Sequence, residues 1–118
     1  MGTPNVLFSR RYRAALLDYL LSSGEGGLAR AYDLGRAAMN EGLGLLEILR
    51  THQGAVNTVL ESTNDAELSL RRLKASEEFL METLSPFEMT YRGYVALLSD
   101  SAPAAEKKLA YRPPRRSE

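Results

Sequence analysis

The sequence contains no cysteine and a single histidine, His52. Without thiols there is no disulfide framework and no thiolate metal site. With one imidazole, metal chemistry would depend on carboxylates alone. No apolar run approaches the ~18 residues that a membrane span requires, and the start lacks a signal-peptide pattern. The longest apolar cluster near the start, residues 14–21, is interrupted by Asp18 and flanked by Arg10, Arg11 and Arg13. Net charge is zero, because 15 basic residues offset 15 acidic ones, so no global field favours nucleic acid or an anionic membrane. Alternating runs bounded by hairpin turns are missing too, which removes the usual evidence for strands. These absences point to a cytoplasmic, all-α protein, with no cofactor and no metal expected.

What is present is helical periodicity, in a chain of 118 residues, enough for one domain with its own core. The first helix is predicted over residues 6–21, with Phe8, Tyr12, Ala15, Leu16 and Tyr19 at helical spacing before the stop Ser22-Ser23-Gly24. The second, about residues 25–40, carries Leu28, Ala31, Leu34, Gly35, Ala38 and Met39 on one side and ends at Asn40-Glu41-Gly42. Its small residues Ala31, Gly35 and Ala38 would let a neighbouring helix approach closely. That offers a packing reason for Gly35, which costs ~1 kcal/mol in a helix relative to Ala. The third, about residues 44–60, places Leu45, Ile48, Leu49, His52, Val56, Val59 and Leu60 together and ends in the turn and N-cap cluster Ser62-Thr63-Asn64-Asp65. The fourth runs from about residue 66 to residue 98. Short links between long amphipathic helices predict an antiparallel four-helix bundle. From residue 101 the grammar changes to a basic, proline-containing tail with Lys107, Lys108, Arg112, Arg115 and Arg116, read as a solvated terminus. The domain is therefore drawn at residues 5–100 and the tail at 101–118.

One stretch of the fourth helix reads two ways. Ser85-Pro86-Phe87-Glu88 has the form of a helix start: a Ser cap, Pro at the first position, Glu three residues after the cap. Yet Leu73, Leu80, Leu84, Phe87, Tyr91, Tyr94 and Leu98 form one stripe running through it. The expectation is a long fourth helix kinked or briefly broken at Pro86, with Ser85 and Glu88 satisfying the freed amides. In the sharper form of this reading, Pro86 is a hinge.

Candidates for chemistry are few. His52 on a helical bundle suggests histidine phosphotransfer, which needs an exposed ring and a nearby cation; here it falls on the apolar stripe between Leu49 and Val56. A histidine partly buried and hydrogen-bonded to a neighbouring helix is favoured over a phosphoacceptor. Glu77, Glu78 and Glu82 could bind a cation, but no second carboxylate pair completes a di-metal bundle site. Arg71, Arg72 and Lys74 upstream favour ordinary ion pairing. No phosphate loop, nucleophile elbow or zinc spacing occurs, so no catalytic residue is assigned.

The residues 8–56, followed after a gap by residues 77–94, resemble the N-terminal domain of the RsbU-type phosphoserine phosphatases, within the KaiA/RsbU superfamily of helical bundles. The resemblance rests on Arg11-Tyr12, on Glu25, Leu28, Ala31 and Gly35-Arg36, on Leu49 with His52, and on Phe79-Leu80, Glu82, Pro86-Phe87-Glu88-Met89 and Arg92-Gly93-Tyr94. It implies a non-enzymatic signalling domain that forms a homodimer and binds a switch-kinase-type regulator, in partner-switching control of a stress-response sigma factor. It further implies a binding surface shared by the second and fourth helices, carried onto Glu25 and Ala29 with Met81 and Ser85. With no coiled coil or catalytic domain read after Tyr94, the expectation is a free-standing member that titrates an activator or one that docks on a separate phosphatase or kinase effector.

Overall fold

The computed structural model describes residues 4–22 and 26–101. Four helices account for nearly all of them: α1 (Pro4–Ser22), α2 (Gly27–Asn40), α3 (Leu45–Glu61) and α4 (Ala66–Ser101), with no strand among the described residues. The predicted bundle and its four segments are all found. The basic tail lies outside the described residues, apart from its first position, Ser101.

The turns follow from local chemistry. α2 ends in a Schellman arrangement: Leu43 N–H donates to the Ala38 carbonyl at 2.9 Å and Gly42 N–H to the Met39 carbonyl at 3.1 Å. Gly42 supplies the required positive φ of 78°. Leu43 and Ala38 are both buried, so the cap also closes an apolar contact. At the other turn, Asp65 caps α4 as its side chain accepts from the N–H groups of Glu67 at 2.9 Å and Leu68 at 3.3 Å.

Two compact units divide the chain, one ending at Phe87 and one starting at Glu88. In the first, α1 packs on α2 and on α3. The residue pairings set the directions. Asp18 meets Arg30 while Arg11 lines a groove with Ala37, so α1 and α2 are antiparallel. Leu16 and Leu17 line a groove with Ala55 and Val59, whereas Phe8 and Arg10 lie with Leu43 and Glu47, so α1 and α3 run the same way. Tyr12 and Tyr19 both stack against Phe79, and Leu21 lines a groove with Leu68, which sets α4 antiparallel to α1. The result is an up-down-up-down bundle with α1 touching all three other helices.

The core comprises Phe8, Tyr12, Ala15, Leu16 and Leu20 from α1, Ala31 and Ala38 from α2, Leu43, Ile48, Ala55, Val56 and Val59, and Phe79 from α4. The face that α4 buries differs from the predicted stripe. Its innermost line is Ser76, Phe79, Thr83 and Pro86, while Leu73, Leu80, Leu84 and Phe87 are half-buried flanks. The two buried hydroxyls are satisfied within the helix, Ser76 donating to the Leu73 carbonyl at 2.7 Å and Thr83 to the Phe79 carbonyl at 3.0 Å. Small side chains there match the small side chains of α2. A Cβ added to Gly35 would collide with the Thr83 carbonyl and stand 3.2 Å from the Pro86 ring. The packing reason inferred for Gly35 is this close approach.

The helix-start signal at Ser85 does not start a helix. α4 is assigned as one helix through Pro86, which is buried against α2. In the second unit α4 continues from Glu88 to Ser101, with Arg92 paired to Glu88 at 2.9 Å. Met89, Tyr91, Tyr94, Val95, Leu97 and Leu98 are all exposed there. The upper part of the predicted stripe therefore has no core to join among the described residues.

Candidate functional site

Two places deserve comparison with the sequence-based candidates: the buried histidine on α3, and the surface where α2 and α4 adjoin. His52 is only 9% exposed. Its Nδ1 lies 2.7 Å from the Tyr12 hydroxyl, and the two rings meet edge to face. Burial pushes the Tyr12 phenol well above its ordinary range, with the Thr83 hydroxyl pulling weakly the other way. Burial also lowers the pKa of His52. Both shifts favour the uncharged forms, so the bond joins a neutral phenol to a neutral imidazole, with its donor set by the imidazole tautomer. This ring is a cross-link between α1 and α3. It lacks the exposure a phosphoacceptor requires, so the structure supports the hydrogen-bonded core histidine over phosphotransfer.

The carboxylates of α4 also have a structural use. Glu78 accepts from the Tyr19 hydroxyl at 3.2 Å, and burial, followed by this Glu78 contact, raises the pKa of Tyr19. The Tyr19 ring occupies the space where a side chain on Gly27 would begin. One tyrosine thus locks the end of α1 to the start of α2 and the middle of α4. Arg72 donates to the Thr63 hydroxyl at 2.9 Å. The ion pairing expected of Arg71, Arg72 and Lys74 with these glutamates is therefore not the arrangement found. No group of three or more metal-ligating side chains occurs among the described residues, and no helix there is long and apolar enough to cross a membrane.

The four residues carried over for partner binding are placed as follows. Ala29 is exposed on α2, Met81 is 65% exposed on α4, and Ser85 is half-buried one turn later. Glu25 lies outside the described residues. Met81 and Ser85 bracket Thr83, whose carbonyl abuts Gly35 of α2, so both flank the α2–α4 contact. At this exposure Met81 is not part of the bundle core. Sequence reasoning missed the Tyr19–Gly27–Glu78 lock. A glycine opening a helix beside a tyrosine elsewhere in the chain carries no local signal of their contact.

The described residues thus form an all-α helical bundle with a buried histidine and a polar lock. Compared with known families, the chain matches the family described as phosphoserine phosphatase RsbU, N-terminal domain, over residues 10–90. The chain belongs to that family, whose domain is a regulatory one, distinct from the catalytic phosphatase domain. No curated protein and no solved structure matches the chain.

Proposed function

We propose that this regulatory domain is non-enzymatic, acts in the cytoplasm, forms a homodimer, and binds a switch-kinase-type regulator in bacterial partner-switching control of a stress-response sigma factor. The regulator contacts Ala29 and Glu25 from one side and Met81 and Ser85 from the other, and Pro86 is the hinge whose setting the regulator changes. A separate phosphatase or kinase effector reads the outcome. The observation that carries the reading is Met81, an adaptable apolar side chain left 65% exposed near the close approach of Gly35 to the Thr83 backbone. Family membership over residues 10–90 supplies the regulatory context.

Affinity capture from lysate of the source organism, read by mass spectrometry and run with wild type and Met81→Asp, tests it. A switch-kinase component held by wild type and lost by the variant is the expected result. Equal capture by both proteins removes this face from the mechanism.

A further inference from the structure

A groove of about 460 Å³ runs between the first half of α1 and the first half of α3, away from the α2–α4 surface. Its apolar part is Val6, Phe8 and Leu43, and its polar part includes Arg10, Arg13 and Arg50. None of these three arginines makes an ion pair with a described residue. Among the described lining residues Glu47 is the one carboxylate, so these residues carry an excess of two positive charges in a chain whose net charge is zero.

The Arg13 guanidinium extends across to α3 at Gly54, where an added Cβ would lie 3.0 Å from the Nη2 atom. Any residue but glycine at 54 would crowd the guanidinium. Arg13 and Arg50, 37 positions apart in the sequence, both line this groove.

The geometry points to this groove as a binding site for a small organic phosphate, its phosphoryl group held by Arg10, Arg13 and Arg50 and its apolar body laid on Val6, Phe8 and Leu43. Planar guanidinium groups match phosphoryl oxygens in pairs. A phosphate monoester carries roughly −1.5 to −2 charge at neutral pH, which balances the local excess. The volume falls in the range of about 300–1,000 Å³ typical of small-molecule sites. This site is independent of the partner face.

The test is a titration of the full chain with phenyl phosphate, followed by backbone amide NMR, with inorganic phosphate in a parallel series. Saturable shifts at residues 8–13 and 50–54 are expected, with phenyl phosphate binding more tightly than inorganic phosphate. Arg13→Gln and Arg50→Gln weaken binding by about tenfold, the loss of one charge-assisted contact. Gly54→Ala weakens it as well, with an unchanged circular dichroism spectrum, because the added methyl displaces Arg13. Arg36→Gln on α2 leaves binding intact. The proposal is overturned if no saturation occurs, if Arg36→Gln is as damaging as Arg13→Gln, or if inorganic phosphate binds as well as phenyl phosphate. Loss of binding on Arg72→Gln with retention on Arg13→Gln also overturns it, by moving the anion to the α1–α4 groove, where the Arg72 Nε is buried without a partner.

Discussion

Tyr12 and His52 form a buried polar pair in a largely apolar core that also holds the Ser76 and Thr83 hydroxyls. Leaving either one unpaired costs about 1–3 kcal/mol. The pair also ties stability to pH. Burial lowers the pKa of folded His52 below its ordinary value, so the unfolded chain binds the proton more readily. Its contribution is fully present above the unfolded pKa of about 6.5 and is lost as the pH falls toward the folded value. Urea unfolding at pH 7.5 and pH 5.5 should show wild type losing more stability on acidification than His52→Gln; equal losses would show that the imbalance lies elsewhere. The sequence made the core reading of His52 available, because the residue sits between Leu49 and Val56 on one helical face. Its partner was not legible: Tyr12 is forty positions away, and only the parallel course of α1 and α3 brings them together.

At the scale of helices, the contact of Gly35 with the Thr83 backbone sets how closely α2 and α4 pack. Gly35→Ala opposes two effects. The alanine gains about 1 kcal/mol in helix propensity, but its methyl meets a backbone carbonyl that cannot rotate away, and overpacking of this kind costs about 1–3 kcal/mol. Steric cost should prevail, giving a net loss of stability in thermal or urea unfolding; a stabilised Gly35→Ala would mean that α4 yields at Thr83. The helices themselves were readable from periodicity, and the approach of α2 to a neighbour was readable from Ala31, Gly35 and Ala38. The buried line of α4 was not. Ser76 and Thr83 count as polar in any hydropathy pattern, yet their hydroxyls turn back onto carbonyls of their own helix and can be buried without an outside partner. The cap-like Ser85-Pro86-Phe87-Glu88 was read as lying inside one long helix, and α4 does continue through Pro86. Capping chemistry is local, whereas the course of α4 through Pro86 is set with its packing against α2.

For the whole molecule, the apolar stripe of α4 outlasts the core. Leu80, Leu84 and Phe87 pack against buried residues, and Tyr91, Tyr94 and Leu98 continue the same spacing in full exposure. A second copy of the chain is the occupant that the proposed homodimer assigns to this surface. Tyr94→Asp should then shift sedimentation from dimer to monomer while the packed body melts at the same temperature; an unchanged dimer would place the interface elsewhere. The family was legible in the order and spacing of motifs, and the match over residues 10–90 agrees with it. Partner identity was not legible, since an interface exists in the complementarity of two surfaces and one sequence carries half of it.

The most direct measurement is a calorimetric titration of the purified domain with the captured switch-kinase regulator, run on wild type and Met81→Asp. Because Met81 is exposed, the substitution should change folding stability by no more than about 0.5 kcal/mol. Binding should fall by at least about tenfold, the 1.4 kcal/mol expected when a contact near the centre of an interface is removed. Equal affinity for the two proteins, at equal melting temperature, would contradict the assignment of the α2–α4 surface as the regulatory face.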